Sequence, residues 1–296
     1  MKKFRKNQTK ENFFRAIHKE RLNYISILPS LITIINALCG FTSIVLASNG
    51  KFAFSAYMLL LAMVADMLDG RVARMSKSTS SFGGQLDSLC DMISFGLAPA
   101  FLMLKVTQYK FTSIIDLSVN LEGFLNRFVW LAAAAYISCA AIRLARFNVE
   151  NEEDESAHMS FVGLPSPAAA GVVVSLVLFH QEILQDMSIK SSSLVRIGDD
   201  LLIFSLPLIV LSVGILMVSR IRYPHIVNQY FKGKKPFAYF IKALVAIAFM
   251  MWSHQVTLIL VFCGFAVSGL VKWLYTRFGK KTVPTDESAQ DSDSAE

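Results

Sequence analysis

The sequence predicts an all-α protein that crosses a membrane several times. Of its 296 residues, 54% are apolar and only 17% are charged, and the mean hydropathy is +0.48. A soluble domain of this length carries more charge. Apolar runs near the roughly 20 residues that cross the hydrocarbon core recur along the chain, without the alternation typical of membrane barrels. Because backbone groups in lipid must be paired within their own segment, these runs predict helices.

Eight apolar runs have the composition of membrane-spanning helices. They cover residues 27–48, 52–69, 86–106, 126–146, 161–181, 200–219, 237–252 and 256–275. The seventh run is shorter than the hydrocarbon core requires. The basic N-terminal segment, residues 1–26, has no cleavage site and fits either a helix in the headgroup layer or a solvated tail. The acidic C-terminal segment, residues 277–296, has the composition of a disordered tail.

The distribution of basic residues predicts the orientation in the membrane. With eight crossings and the N-terminus inside, 22 lysines and arginines lie on the inner side and six on the outer side. Short cytoplasmic loops carry such an excess, so we expect cytoplasmic N- and C-termini in a bacterial inner or cell membrane. The net charge of +7 therefore reflects topology. It attracts anionic membrane lipids and does not indicate nucleic-acid binding.

Four aspartates lie where the second run ends and the third begins. Asp66 and Asp69 are three residues apart, and Asp87 and Asp91 are four apart, so each pair shares one face of its helix. Carboxylates cost free energy in a bilayer and repel each other, so this group needs a cation. One or two Mg²⁺ or Mn²⁺ ions suit carboxylate oxygens and a phosphate-bearing substrate. The pattern predicts a metal site for phosphoryl-type transfer at the membrane surface.

Small residues surround the aspartates in the sequence. Gly70, Ala73 and Gly83 leave space in which a flat, phosphate-bearing ligand can approach the backbone. Gly70 is also expected to weaken the end of the second helix. Arg74, one turn further on, is placed to meet a phosphate through a charge-assisted hydrogen bond.

The whole pattern resembles one known family. Residues 66–91 read D-x2-D-G-x2-A-R-x8-G-x3-D-x3-D, which matches at each fixed position the signature of the CDP-alcohol phosphotransferases. This resemblance implies a six-helix catalytic core at residues 27–220, followed by two additional helices within residues 221–276. It also implies a site open to the cytoplasm, two bound metal ions and a homodimer.

The resemblance assigns a role to each position of the motif. It implies that Asp66, Asp69 and Asp87 are metal ligands, and that Asp91 is both a ligand and the base that takes the proton of the acceptor hydroxyl. The glycines and Ala73 would make room for cytidine, and Arg74 would lie near the diphosphate. The residues implied to bind the CDP-linked lipid are Thr33, Asn36, Gly70, Ala73, Arg74 and Gly83.

Segments outside the motif are similar to the phosphatidylserine synthase branch of that family. They cover residues 28–40, 94–100, 143–148 and 161–167. The implied reaction transfers the phosphatidyl group of CDP-diacylglycerol to L-serine and releases CMP. Arg143 and Arg146, with Asn148, would then hold the acceptor carboxylate, although arginines here also serve as topology determinants. Because arginine binds phosphate equally well, glycerol 3-phosphate and inositol phosphate stay open as acceptors.

The remaining titratable residues indicate no other chemistry. The four cysteines lie in apolar runs without disulfide or zinc-ligand spacing, and the five histidines share no helical face, so we assign them no catalytic role. An ion or metal transporter is the alternative from a different class. Transport favours acidic residues near the bilayer midplane on broken helices of two related halves. Here all four aspartates are predicted at one membrane face.

Overall fold

The computed structural model describes residues 30–76, 81–113, 119–153, 161–184, 187, 193–223 and 253–278. Its helices are α1 Ser30–Ser48, α2 Phe52–Ser76, α3 Ser81–Asp91, α4 Ala98–Ser113, α5 Val119–Glu153, α6 Ser166–Phe179, α7 Ser193–Val218 and α8 His254–Phe278. Two π-helical segments interrupt this series. The first, π1, is Met92–Leu97 between α3 and α4, and the second, π2, is His180–Leu184 after α6.

The helical membrane fold predicted from composition is confirmed. Within the described ranges, seven helical stretches are long and apolar enough to cross a membrane, with α3, π1 and α4 forming one of them. The chain is therefore an integral membrane protein. The predicted seventh run, residues 237–252, lies outside the described residues, as do residues 1–29 and 279–296.

Several helix boundaries differ from the prediction, and three of them concern segments singled out in the sequence. Helix α2 continues through Gly70 to Ser76, seven residues beyond the predicted end of its run at residue 69. A single glycine costs a helix only about 1 kcal/mol, which its neighbours offset. Helix α3 begins at Ser81, five residues before the predicted start of its run, which places Gly83 inside a helix. Helix α6 begins only at Ser166, after Pro165 in the N-cap position.

The all-α prediction did not include a short antiparallel strand pair, of which one strand precedes α6 and the other follows α7. Strand β1, Phe161–Val162, pairs with β2, Arg222–Tyr223. The next residue, Gly163, has a φ of +87° and its N–H donates to the carbonyl of Ile221 at 2.8 Å. A side chain here would collide with the carbonyl oxygen of Met217. The turn is thereby fixed against the end of α7, and it sets where α6 begins.

Helix α8, beyond the predicted six-helix core, packs tightly against that core. The ring of Phe262 lies directly over Gly171 of α6, and the ring of Tyr223 lies over Gly269 of α8, so neither glycine could carry a side chain without a shift. The hydroxyl of Tyr223 also donates to the carbonyl of Ala266 at 3.3 Å. Close packing of this kind depends on small residues at the helix interface.

Ionic groups, of which Asp199 and His180 are buried, join the helices at the end of the bundle opposite to the aspartate motif. Lys110 Nζ lies 2.6 Å from Asp199 Oδ2 and 3.2 Å from Asp200 Oδ1, and His180 Nε2 lies 2.9 Å from Asp199 Oδ1. These contacts tie α4, π2 and α7 together. His180 was assigned no role from sequence, because the residues that it contacts are distant along the chain.

Candidate active site

Three of the four motif aspartates converge in space. Asp66 and Asp69 project from α2 and Asp87 from α3, and one carboxylate oxygen of each lies within 4.8 Å of the others. The i, i+3 spacing places the first two on one face of α2, and the antiparallel partner helix supplies the third. Because this arrangement concentrates negative charge in a partly buried space, it requires a positive counterpart.

Two buried carboxylate oxygens in this group have no hydrogen-bond partner among the described residues. They are Oδ2 of Asp69 and Oδ1 of Asp87. A buried charged acceptor without a partner is costly, and a divalent cation with oxygen ligands removes that cost. The three carboxylates are hard oxygen donors of the kind that Mg²⁺ and Mn²⁺ prefer. The donor set therefore fits the metal that the sequence predicted.

Asp91 lies beside this group rather than within it. As the last residue of α3, it is buried, and its Oδ1 accepts a hydrogen bond from Asn36 Nδ2 at 3.0 Å. Its carboxyl group also lies within hydrogen-bond reach of Asp66. Two carboxylates at such a separation need a shared proton or a shared cation. The predicted roles of Asp91 as base and as metal ligand are therefore compatible with its position and stay predictions.

Helix α1 holds the aspartates through two buried polar side chains. Thr33 hydrogen-bonds to the carboxylate of Asp69, which also accepts the backbone N–H of Gly70. Asn36, one turn further along α1, holds Asp91. The resemblance assigned Thr33 and Asn36 to the CDP-linked lipid, and in the structure their contacts are with the aspartates. The nucleotide-binding role of these two residues stays a prediction.

Two glycines near the aspartates in the sequence have open space where a side chain would lie. A Cβ atom built on Gly70 or on Gly84 would meet no atom within 4 Å. Gly83, also predicted to make room for a ligand, is partly buried on the same turn of α3. The side chains of Ala73 and Arg74 lie outside the described part of the chain, so their roles stay predictions.

Arg143 brings a positive charge to the aspartates from α5. It is near enough to Asp91 and Asp66 to interact with both electrostatically. Its Nη1 donates to Ser166 Oγ at the start of α6, at 2.6 Å, while its buried Nε has no partner among the described residues. Arg146 lies almost one turn further along α5 and is partly buried. Ser166 was not predicted, because its contact depends on the turn before α6.

Asn148 has a different contact from the one predicted. Its Oδ1 accepts a hydrogen bond from Ser88 Oγ at 2.8 Å. Ser88 lies between Asp87 and Asp91 in the sequence, so this bond joins α5 to α3 beside the site. In the structure Asn148 connects two helices, and its predicted part in the acceptor pocket stays untested.

Comparison with known proteins identifies the family. Residues 26–211 match the family model described as CDP-alcohol phosphatidyltransferase. This chain belongs to that family. The match covers more than half of the chain and contains α1 to α6, most of α7 and all four motif aspartates.

Several relatives in this family have curated names. A Helicobacter pylori protein named CDP-diacylglycerol–serine O-phosphatidyltransferase is 32% identical over 255 residues, which cover 86% of this chain and 94% of the relative. A Methanocaldococcus jannaschii protein with the same name is 27% identical over an aligned region that covers 83% of this chain and 94% of the relative. An archaetidylserine synthase of Methanothermobacter thermautotrophicus is 31% identical, over 67% of this chain and 70% of the relative.

Membership of the CDP-alcohol phosphatidyltransferase family agrees with the geometry of the site. The matched residues include the converging carboxylates of α2 and α3. They also include Arg143 and Ser166, which lie outside the four-aspartate motif. The site is therefore formed by the part of the chain that the family shares.

Proposed function

We propose that this chain transfers the phosphatidyl group of CDP-diacylglycerol to the hydroxyl of L-serine, giving phosphatidylserine and CMP. The convergence of Asp66, Asp69 and Asp87 beside Asp91 and Arg143 is the observation that carries this proposal. This arrangement brings together carboxylates that can hold a diphosphate-binding metal, a base in Asp91 and a positive charge in Arg143. The names of the relatives support the choice of serine, since both kinds of name refer to a serine-containing product or substrate.

The reaction is a displacement at the phosphorus that bears the diacylglycerol. The serine oxygen forms a bond to this phosphorus, the bond to the CMP oxygen breaks, and Asp91 takes the hydroxyl proton. Two Mg²⁺ or Mn²⁺ ions, held by Asp66, Asp69, Asp87 and Asp91, would supply charge neutralisation for the diphosphate and for the departing CMP. Asn36 keeps the Asp91 carboxyl in place through their 3.0 Å hydrogen bond.

The CDP-linked lipid would lie along the open side of the cluster. Gly70 and Gly83 leave room for cytidine, and the vacant volume beside Gly70 supports this placement. In this proposal Ala73 borders the base, Arg74 meets the diphosphate, and Thr33 lines the site while holding Asp69. A site near the ends of membrane-spanning helices lets the acyl chains stay in the bilayer during the reaction.

The family resemblance and the charge distribution support a wider arrangement. We propose a homodimer with the site and both termini in the cytoplasm of a bacterial cell. The catalytic core would be residues 27–220, with residues 221–276 as an added pair of helices, flanked by the terminal segments 1–26 and 277–296. The contact of α8 with α6 indicates that the added part stabilises the core.

The acceptor is tested by offering alcohols in parallel. The purified protein in detergent, supplied with CDP-diacylglycerol and Mn²⁺, is expected to release CMP with L-serine and not with glycerol 3-phosphate or inositol phosphate. Thin-layer chromatography of the lipid product identifies what was formed. Release of CMP only with a phosphorylated alcohol would overturn serine as the acceptor, while leaving the chemistry of the aspartates in place.

Arg143 and Arg146 are proposed to hold the serine carboxylate, with Ser166 orienting Arg143. Ser166→Ala removes the 2.6 Å hydrogen bond, so we expect the KM for serine to rise about tenfold while kcat changes less than about twofold. Ser175→Ala is the matched control, because Ser175 is a buried serine on the same helix whose Oγ donates to the backbone carbonyl of Val172 and which hydrogen-bonds to Cys263 of α8, not to Arg143. Equal serine KM values in both variants would contradict the role of Ser166.

A further inference from the structure

The segment π1 begins immediately after Asp91. The backbone N–H of Ala98 bonds to the carbonyl of Ile93, five residues back, where an α-helix would bond four residues back. A turn of this kind contains about one additional residue. One residue of an α-helix turns by about 100° around the helix axis. The additional residue in π1 therefore rotates the side chains of α3 around this axis by about a quarter of a turn relative to those of α4.

This change of direction determines where two of the aspartates point. Helix α4 is fixed in the core by fully buried residues such as Leu102 and Met103. Asp87 and Asp91 lie on α3, on the other side of π1. If α3 and α4 formed an unbroken α-helix, the carboxylates of α3 would turn away from Asp66 and Asp69 on α2. The converging carboxylates therefore depend on π1 keeping its geometry.

Helix α1 holds π1 from one side. A Cβ atom on Gly40 would lie 2.5 Å from Ser94 Oγ and 2.8 Å from Ser94 Cα, so α1 and π1 are in close backbone contact. Ser94 Oγ donates to the backbone carbonyl of Asn36 at 2.9 Å, and the side chain of Asn36 donates to Asp91. The same residue of α1 therefore contacts both π1 and the aspartate before it.

Helix α5 holds π1 from the other side through Tyr136. The hydroxyl of Tyr136 donates to the backbone carbonyl of Phe95 at 3.0 Å, and both residues are fully buried. Gly96, the next residue, packs against Ala140 of α5, where a Cβ would lie 3.3 Å from the alanine methyl. A buried carbonyl in an irregular turn needs a partner, and the Tyr136 hydroxyl supplies it.

We infer that Tyr136 is a positioning residue for the aspartate site. Its hydroxyl fixes the Phe95 carbonyl in π1, and π1 directs Asp87 and Asp91 toward the carboxylates of α2. This inference rests on the proposed metal-binding function of those carboxylates. Tyr136 does not touch the substrate in this scheme and acts through the backbone of π1.

The test removes one oxygen atom. Tyr136→Phe, made in the full chain and purified in detergent, is expected to lower kcat about tenfold and to raise the Mn²⁺ concentration needed for half-maximal activity several-fold. Thermal unfolding at increasing Mn²⁺ is the second readout, and the variant should need more Mn²⁺ than the wild type for the same rise in Tm. The KM for serine is expected to stay near its wild-type value.

Tyr223→Phe is the matched control. It also removes a buried hydroxyl that donates to a backbone carbonyl, that of Ala266, but it contacts neither π1 nor the aspartates. Its kcat and Mn²⁺ requirement should equal those of the wild type. Gly40→Ala places a methyl group of α1 too close to Ser94 of π1, so it should reproduce the increased Mn²⁺ requirement. This variant therefore tests the inference a second time.

Three outcomes would overturn the inference. The first is a wild-type kcat and Mn²⁺ requirement in Tyr136→Phe. The second is an equal loss in Tyr136→Phe and Tyr223→Phe, which would mean general destabilisation. The third is a raised serine KM alone, which would place the action of Tyr136 on Arg143, two turns further along α5. If the Tm and turnover of the wild-type protein did not depend on Mn²⁺, the metal proposal would be refuted instead. The comparison of kcat between the two tyrosine variants would still decide the role of Tyr136.

Discussion

Asp91→Asn is expected to abolish phosphatidylserine formation and to leave the protein folded. The amide has the shape of the carboxylate and can still bond to Asn36, so the packing at the end of α3 is kept. It cannot take a proton from the serine hydroxyl, and general-base help alone contributes roughly 100- to 10,000-fold. Loss of a negative ligand beside Asp66 adds to the effect. We therefore expect turnover at least about 1,000-fold below wild type.

The measurement is CMP release and product lipid, with size-exclusion chromatography and thermal unfolding as the fold controls. Asp200→Asn is the matched substitution, since Asp200 pairs with Lys110 at 3.2 Å at the opposite end of the helices. It should keep wild-type turnover. An Asp91→Asn protein that turns over serine at a near-normal rate would eliminate Asp91 as the base, whatever the behaviour of the other three aspartates.

The predictable part of the structure is the part that local chemistry determines. Apolar runs of membrane-crossing length could be read directly, because lipid leaves the backbone few alternatives to a helix. The convergence of Asp66 and Asp69 with Asp87 follows from helical periodicity and the short connection between two helices. The spacing alone grouped four aspartates and only the family resemblance set Asp91 apart as the base, whereas the structure distinguishes Asp91 by its bond to Asn36.

The unpredicted part depends on contacts between distant segments. Segment π1 could not be predicted from the local sequence, because the residues that contact it, Tyr136 and Gly40, lie in other helices. The pairing of β1 with β2 joins residues that are far apart in the chain, and it determines where Ser166 meets Arg143. Each of these features positions a predicted site residue, so the motif names the functional groups while tertiary contacts set their directions.

Asp69→Asn is expected to separate metal binding from folding. Without metal, the substitution removes one of several repelling carboxylates, so the metal-free variant should unfold at a temperature equal to or above that of the metal-free wild type. The buried Oδ2 of Asp69 has no protein partner among the described residues, so replacing this oxygen by an amide group breaks no hydrogen bond there, and the other oxygen of the side chain can still accept one. Turnover should fall at least about 100-fold, because one ligand of the proposed metal is lost.

The response to metal provides the decisive comparison. Wild-type protein stripped with EDTA and returned to Mn²⁺ should gain stability, about 2.7 kcal/mol at a free ion concentration 100 times its Kd. Asp69→Asn should show little of this gain, while Asp200→Asn should show all of it, since its carboxylate lies far from the cluster. If Asp69→Asn kept the full Mn²⁺-dependent rise in Tm, Asp69 would not be a ligand. If the metal-free variant were instead strongly destabilised, the carboxylate would be needed for its hydrogen bond to Thr33, and repulsion within the cluster would be the weaker effect.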